Sequence, residues 1–570
     1  MMRIVMSTLL LGLLAVISHP GFAGAPEDPL PDLGGQIDEI FAPWDTAWTP
    51  GVAVAAVKGG EILYSNGYGY AQMEYDVKIS PSTVFHIASI SKQFTTFSVL
   101  LLEQEGKLSL DDDIRKHIPE MPDFGEVLTL RQMAHNISGI RDQWNLLGMA
   151  GWRLDDIIRT DQVLRLIARQ QELNFQPGEE YLYSNTGFTL LAEVVARVSG
   201  QSFPEFTRER IFEPLGMNNT LFYDNPEVIV RNRAYSYGKR DEEYRKRILS
   251  YATAGATSLF TTVEDLALWA GNFDHPVVGD RGVIEKMDTR GVLNDGSQID
   301  YALGQTVGTY RGLEMISHGG ADAGYRAFFA RFPEHEAAVI VFSNDAGFNS
   351  RGMATQVADV LLADYLEEEV EEEEEKEIEA VAVDIDLLQT YTGQYVLRPD
   401  NYAIITLDED TLHYHTSASG RKRELTPVSE REFVIGQGPG RIVFKTNEDE
   451  KAKAIKMVQN QDTIVAERTE PFDPSVVDLD QYTGTFYSEE LDITYTLEVE
   501  VPDNEDDEPP YLKATQLRIG EIRLRPLTPD HFGGSAWFAS RIRFIRDDEN
   551  RVTGMRISGS RARDVWFEKI

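Results

Sequence analysis

The stretch "SPSTVFHIASISKQFTTFSVLLLEQEGKLSLDDDI", residues 80–114, sets Ser89 and Lys92 three positions apart at the head of an apolar-periodic run that ends near Gly106. The periodicity predicts a buried helix, and the glycine beyond it is a stop signal. A serine at such a helix start has an unpaired backbone N–H that lies at the positive end of the helix dipole. One turn on, Lys92 would lie beside it. Stripped of water, its ammonium would lose a proton more easily, and the neutral amine could accept the serine proton. The plainer alternative is a helix-capping serine with a lysine reaching out to solvent. Spacing alone does not decide, because "SGRK" repeats it at Ser419 and Lys422. That second pair sits among turn residues between β-rich runs, where positions three apart face opposite sides of a strand. It is predicted to be a turn.

Two further stretches single out the first pair. "LNFQPGEEYLYSNTGFTLLAEVV" places Tyr183, Ser184 and Asn185 at the start of another apolar helix. A phenol there can share a proton with the lysine, and the Asn185 amide can orient an acyl group. A copy of the triplet, Tyr64-Ser65-Asn66 in "EILYSNGYGY", carries an Asn-Gly pair between alternating runs and is predicted to be a hairpin turn. "EMISHGGADAGYRAFFARFPE" sets His318, Gly319 and Gly320 on an expected strand, with glycines that let backbone press close.

The chain of 570 residues is too long for one core. "MMRIVMSTLLLGLLAVISHPGFAGAPEDP" has one Arg, an apolar run and then small residues, which predicts a signal peptide over 1–23 cleaved after Ala23. The alternative, an uncleaved anchor helix, needs a longer run, of roughly 20 residues. The expected location is therefore periplasmic or extracellular, with no stable membrane insertion after cleavage. With no cysteine in the chain, disulfides and thiolate metal sites are excluded. A net charge of −39 argues against nucleic acid as a partner. No metal or nucleotide motif is complete: "HEAAV" lacks the second histidine of a zincin, and "GQGPGR" lacks the Lys-Ser/Thr of a P-loop. No cofactor is expected.

From residue 30 to 365 β-rich runs flank long helical patterns, which predicts an α+β domain whose sheet is closed by distant segments. The glutamate-rich 366–383 reads as an acidic linker. Beyond it the texture is β-rich and appears twice. "LQTYTGQY" is echoed by "LDQYTGTF", "LTPVSEREF" by "LRPLTPDHF", and "RIVF" by "RIRF", in the same order. A duplicated small β domain is predicted over 384–470 and 471–570.

Between residues 30 and 365 the chain resembles the serine β-lactamase and penicillin-binding-protein superfamily. The likeness is to its class C-type branch of D-aminopeptidases, D-Ala-D-Ala carboxypeptidases and family VIII-type esterases. It rests on the serine, tyrosine and histidine stretches together with "LRQMAHNISGI", "IFEPLGMNNT", "GATSLFTTVEDLALWA" and "YALGQTVG". It implies an antiparallel sheet flanked by helices, plus a helical lobe, with two β-barrel domains following as in D-aminopeptidases. It also implies Ser89 as acylated nucleophile, Lys92 as its base, Tyr183 as the family's tyrosine, and His318 where the relatives usually carry Lys-Thr-Gly. Asn185 would contact the substrate amide. The N–H groups of Ser89 and Ala321, beside Gly319 and Gly320, would form the oxyanion hole. Arg326 is a candidate to replace the missing lysine charge, with pairing to local acids as its alternative.

The expected function is hydrolysis of D-amino-acid peptides or amides, some of them peptidoglycan-derived. A carboxylesterase or weak β-lactamase on the same site, or a non-hydrolytic penicillin-binding or cell-wall-binding receptor, remains open. "VPDNEDDEPPY" in the second repeat offers Asp503 to Glu508 as a loop that would reach the cleft and select cationic N-termini; a solvated hairpin tip is the alternative.

Overall fold

The computed structural model describes residues 33–45, 48–367, 381–398, 401–417, 422–436, 440–446, 452–459, 462–470, 472–502 and 509–570. The expected signal peptide, most of the acidic linker, Ser419 and the Asp503–Glu508 loop lie outside them.

The first architectural unit is a six-stranded antiparallel sheet built from both ends of the region. Val52–Lys58 pairs on one side with Glu61–Tyr68 and on the other with Ala337–Ser343. Tyr325–Phe332, Leu313–Asp322 and Thr306–Tyr310 continue the sheet outward. Alternation on the first strand shows how it is covered. Val52, Val54 and Ala56 pack with Ile37, Phe41 and Val357, from the helices Leu33–Asp45 and Ser350–Leu361. Ala53, Ala55 and Val57 join the larger core on the other face. Both faces are buried, so the strand reads as an unbroken apolar run.

The larger core is centred on the helix Ser91–Gln104, whose residues 91 to 102 are all buried. Phe94 stacks on Trp269 with ring centroids 4.3 Å apart, and Asn185–Ser199 packs alongside.

One expectation fails. Tyr64-Ser65-Asn66 is not a turn but lies inside the Glu61–Tyr68 strand, with Asn66 opposite Val54. The turn falls at Gly59 and Gly60, both at positive φ (59° and 76°). Gly67 serves a different need, because a Cβ there would come within 2.7 Å of the Ile79 backbone. The Asn-Gly pair marks close packing here, not chain reversal.

Two closed eight-stranded antiparallel barrels follow, from Gly393–Arg398 to Asp462–Thr469 and from Gly484–Ser488 to Val565–Lys569. The sequence echoes occupy equivalent places. Gly393 and Gly484 open the first strands, and "RIVF" and "RIRF" lie on the sixth. Each barrel is filled by the same aromatic trio. Tyr391, Phe433 and Phe444 have centroids 4.2 to 6.0 Å apart, and Tyr482, Phe532 and Phe544 have centroids 4.7 to 5.1 Å apart. The first barrel's core is a cluster of its own, whereas the second barrel's core is continuous with the larger core around the helix Ser91–Gln104.

Candidate active site

Ser89 sits in a single 3₁₀ turn, Ala88–Ile90, immediately before the buried helix. Ala88 holds φ +48°, a left-handed conformation that an L side chain disfavours. From this turn the half-buried Ser89 hydroxyl meets the Lys92 amine. One turn on, Lys92 is fully buried, with 0% exposure. Its Nζ donates to Ser89 Oγ at 3.1 Å, to Asn185 Oδ1 at 2.9 Å and to the Ala256 carbonyl at 2.7 Å. All three contacts are acceptors, as an amine at that depth requires. Burial pulls the ammonium down to about 7, against Asp322 and Asp142, which favour its charge, while Arg561 pushes further down.

Asn185 opens its helix directly after Ser184. Its backbone N–H and its Nδ2 both donate to Asp142 Oδ2, at 2.8 and 2.7 Å. With Oδ1 on Lys92, one Nδ2 hydrogen is left for a substrate amide. The Tyr183 ring centroid lies 4.7 Å from Lys92 Nζ, and its hydroxyl is buried beside Ser89. Burial pushes that phenol far above its usual range, although Ser89 and the Arg561 cation pull the other way, so it stays protonated.

The strand Leu313–Asp322 brings in the histidine segment. Gly320 presses against the turn that carries Ser89: a Cβ there would sit 2.2 Å from the Ile87 carbonyl oxygen. Gly319 meets no such crowding, so only the second glycine of the pair is demanded by packing. The close approach sets Ala321 alongside the serine turn, where it pairs with Arg326 across the sheet. His318 Nδ1 lies 2.6 Å from its neighbour's carbonyl oxygen, which can only accept; Nδ1 therefore carries the proton, and Nε2 accepts from Tyr301 Oη at 3.0 Å. Burial, then the Lys92 charge, lowers the imidazole to about 4 and keeps it neutral. Arg326 donates to the Tyr325 carbonyl at 2.7 Å and the Ala323 carbonyl at 3.4 Å, turned back on its own hairpin.

The expected residues, Arg326 apart, thus converge, and four unexpected ones join them. Asp142 follows "NISGI" and Tyr301 opens "YALGQTVG", so both stood beside recognisable segments. Asp322, whose carboxyl is raised by burial and accepts from Thr257, ends the histidine strand. Arg561 carried no sequence signal: it comes from the hairpin between the last two strands of the second barrel, and its guanidinium lies 4.8 Å from the Tyr183 ring centroid.

Asp503–Glu508, expected to reach this crevice, follows Ile493–Glu500 and precedes Tyr511–Thr515 of the second barrel. Alternate connections of an up-and-down barrel lie at the same end. The end that meets the catalytic region carries Glu490, Gln516, Phe538 and Arg561, on alternate connections. Ile493–Glu500 and Tyr511–Thr515, which bracket the acidic segment, turn their Glu500 and Tyr511 ends the other way. The segment itself is outside the described residues. Among the described residues no group of three or more His, Asp or Glu side chains could hold a metal ion, and no helix is long and apolar enough to cross a membrane.

The Beta-lactamase family model matches residues 37–363, and the chain belongs to that family. Penicillin-binding protein 4* of Bacillus subtilis (strain 168) is 28% identical over 437 residues, 73% of this chain and 94% of that one. The D-aminopeptidase of Gluconobacter oxydans (strain 621H) is 28% identical over 295 residues, 52% of this chain and 56% of that one, so the match spans about half of each. Among solved structures, the octameric penicillin-binding protein homologue from Pyrococcus abyssi matches with a TM-score of 0.54 at 23% identity, over 76% of this chain and 99% of that one. The D-amino acid amidase from Ochrobactrum anthropi SV3 matches at 0.50 and 22%, over 58% of this chain and 98% of that one. At these identities the structural likeness is one of fold. The chain is a serine hydrolase of this family.

Proposed function

We propose that this member of the Beta-lactamase family hydrolyses D-amino-acid-containing peptides or amides through an acyl-enzyme on Ser89. The observation that carries the proposal is the fully buried Lys92 amine, 3.1 Å from the Ser89 hydroxyl and held near pH 7 in its proton affinity. At neutral pH a large share of it is neutral and can accept the serine proton. Ser89 Oγ then attacks the substrate carbonyl carbon, and the oxyanion is held by the backbone N–H groups of Ser89 and Ala321. The C–N bond breaks as the proton taken by Lys92, relayed through the Tyr183 phenol, ends on the departing amine. Water adds to the acyl-enzyme by the same route in reverse, releasing the acid and restoring the Ser89 hydroxyl. Asn185 holds Lys92 in place and offers its remaining hydrogen to the acyl amide. His318, neutral and with both nitrogens engaged, lines the pocket and orients Tyr301.

The preference for D residues rests on relatives named for D-amino acid substrates. On the same reading the hydrolase unit is 30–365, with 366–383 as linker and barrel domains at 384–470 and 471–570. The same reading takes residues 1–23 as an export leader and the substrates as peptidoglycan-derived peptides met outside the cytoplasm.

The test is covalent labelling with a fluorophosphonate and a fluorescent β-lactam, alongside turnover of chromogenic D- and L-amides. The expected result is an adduct on Ser89, lost in Ser89→Ala, and faster turnover of D than L amides. No adduct on Ser89 overturns the reading. A stable β-lactam adduct without turnover would make the protein a penicillin-binding receptor, and turnover of esters alone an esterase.

A further inference from the structure

Behind the serine turn lies an imidazole that the proposed chemistry does not use. His86 is buried on the two-residue strand Phe85–His86, which pairs with Leu259–Thr261. Its ring is boxed by Phe260 and Tyr325, at 5.1 and 5.6 Å between centroids. Burial, then the Arg233 charge, lowers it to about 3, so the ring is neutral and carries one proton. Backbone N–H groups point at both nitrogens, that of Ala88 at Nδ1 from 3.3 Å and that of Ser258 at Nε2 from 3.2 Å. Among the described residues three buried non-glycine residues hold a left-handed φ: Ala88 at +48°, Asn136 at +59° and Ser258 at +72°. Asparagine visits that conformation readily, whereas alanine and serine do not. The two strained backbones that remain thus face opposite sides of one ring. They also flank the reaction. Ala88 precedes Ser89, and Ser258 lies two residues beyond the Ala256 carbonyl that accepts from Lys92 Nζ at 2.7 Å. Strain of this kind persists only where the surroundings over-determine it.

A neutral imidazole has one acceptor nitrogen, so it holds only one of these N–H groups at a time. The neighbouring oxygens choose which. Thr257 Oγ1 lies 3.4 Å from Nε2 and gives its own hydrogen to the Asp322 carboxylate, which leaves its lone pair to accept from an Nε2–H. Asp322 Oδ2, 3.9 Å from Nδ1, is beyond hydrogen-bond reach of that nitrogen. With the proton on Nε2, Nδ1 is the acceptor and takes the Ala88 N–H; the Ser258 N–H is served only by the other tautomer. Ser91 Oγ, which accepts from the Leu259 N–H at 3.2 Å, donates to the Ala88 carbonyl and so leaves the Ala88 N–H to the ring. We propose that His86 is a positioning residue of the serine turn: its Nδ1 holds the Ala88 backbone in the left-handed conformation from which Ser89 presents its hydroxyl to Lys92 and its N–H to the oxyanion. Thr257 completes the device by fixing the tautomer. This rests on the Ser89 acyl-enzyme reading and adds to it a support that touches no substrate.

The experiment measures the rate of labelling at Ser89 by a fluorophosphonate, and kcat and KM for a chromogenic D-amide, on the full-length wild type, His86→Asn, His86→Gln and His86→Leu. Melting temperature checks folding. An asparagine oxygen reaches the N–H two residues on, as in an Asx turn, so it can replace Nδ1, whereas a glutamine oxygen falls near the Nε2 position. His86→Leu should label roughly tenfold to a hundredfold more slowly, as expected from freeing one strained backbone. For an amide, where acylation is the slow step, the loss should fall on kcat and not on KM. His86→Asn should recover most of the rate although it fills less space, and His86→Gln should not. Thr257→Val should reproduce the loss with His86 in place and Thr257→Ser should restore it, a pair that decides the matter should His86→Leu not fold. A ring that only fills space predicts the reverse order, leucine above asparagine in rate and in melting temperature, and that order overturns the inference. So does a Thr257→Val enzyme that labels at the wild-type rate. Either result leaves the Ser89 reading standing, whereas a wild type that is never labelled at Ser89 removes both.

Discussion

The two barrels are near copies inside and unlike at their ends. Each closes eight antiparallel strands around the same Tyr-Phe-Phe trio, and in each the tyrosine hydroxyl bonds a partner in the hairpin after the fourth strand. Tyr391 donates to the Glu430 carbonyl and Tyr482 to Asp530, both at 2.9 Å. What differs is what the connections touch. In the second barrel, Tyr495 donates to the Met149 carbonyl at 2.9 Å, and Phe538 fills the space that a side chain at Gly148 would take. Glu490 accepts from Arg141 at 2.8 Å with side-chain exposures of 2% and 0%. Its ion pairs elsewhere on that surface are repeated by Arg169–Asp492 and Arg518–Asp156. The first barrel's analogous polar contact, Lys422–Asp408, is exposed and stays within the barrel. Duplication preserved the core, and specialisation took place in the connections, where a barrel tolerates change because its strands already satisfy one another's backbone.

The strongest way to break this contrast is Asp142→Ala. The Asp142 N–H donates to the Arg561 carbonyl and its carboxylate accepts from Asn185, so it ties the second barrel to the Lys92 cradle. The expected loss in kcat/KM is roughly a hundredfold, about two broken bonds to a charged group. Asp142→Asn sharpens the assignment. Without the negative charge Lys92 is less inclined to hold its proton, so the acidic limb of the pH profile, near 7 in the wild type, should move to lower pH. A purely structural lesion would leave that midpoint unmoved.

Next comes the buried junction. Glu490→Ala leaves the Arg141 guanidinium without its buried partner and should cost about 3 kcal/mol, read as a lowered midpoint in chemical denaturation. Lys422→Ala, on the exposed pair of the first barrel, should not move the midpoint measurably. Equal effects would mean that the second barrel is no more integrated than the first.

The smallest expected effect tests the shared core. Tyr391→Phe and Tyr482→Phe each delete one equivalent hydrogen bond and should each cost about 1 kcal/mol. Turnover by Tyr391→Phe should match the wild type. A difference of several kcal/mol between the two would show that the matched trios are not energetically equivalent.

Much of the site was legible because its parts are local. Ser89 and Lys92 are one helical turn apart, Tyr183 and Asn185 are two residues apart at a helix start, and His318 sits two residues before a glycine whose need the Ile87 carbonyl explains. The fold was legible where patterns repeat, as in the apolar sheet strands and the doubled barrel segments. The Asn-Gly pair in Glu61–Tyr68 misled because a glycine in a strand signals either a turn or a close neighbour, and the neighbour, Ile79, is distant in sequence.

By itself the sequence determined the family, the α+β class, the barrel duplication and five of the groups that meet in the crevice, Ser89, Lys92, Tyr183, Asn185 and His318. Periodicity and short-range spacing carry that information directly. Only the tertiary structure decided that Lys92 is sealed from water between Ser89, Asn185 and Ala256, and that a guanidinium from residue 561 hangs over Tyr183. Desolvation and electrostatic coupling depend on distances in space between segments up to some hundreds of residues apart, and no local pattern encodes such distances.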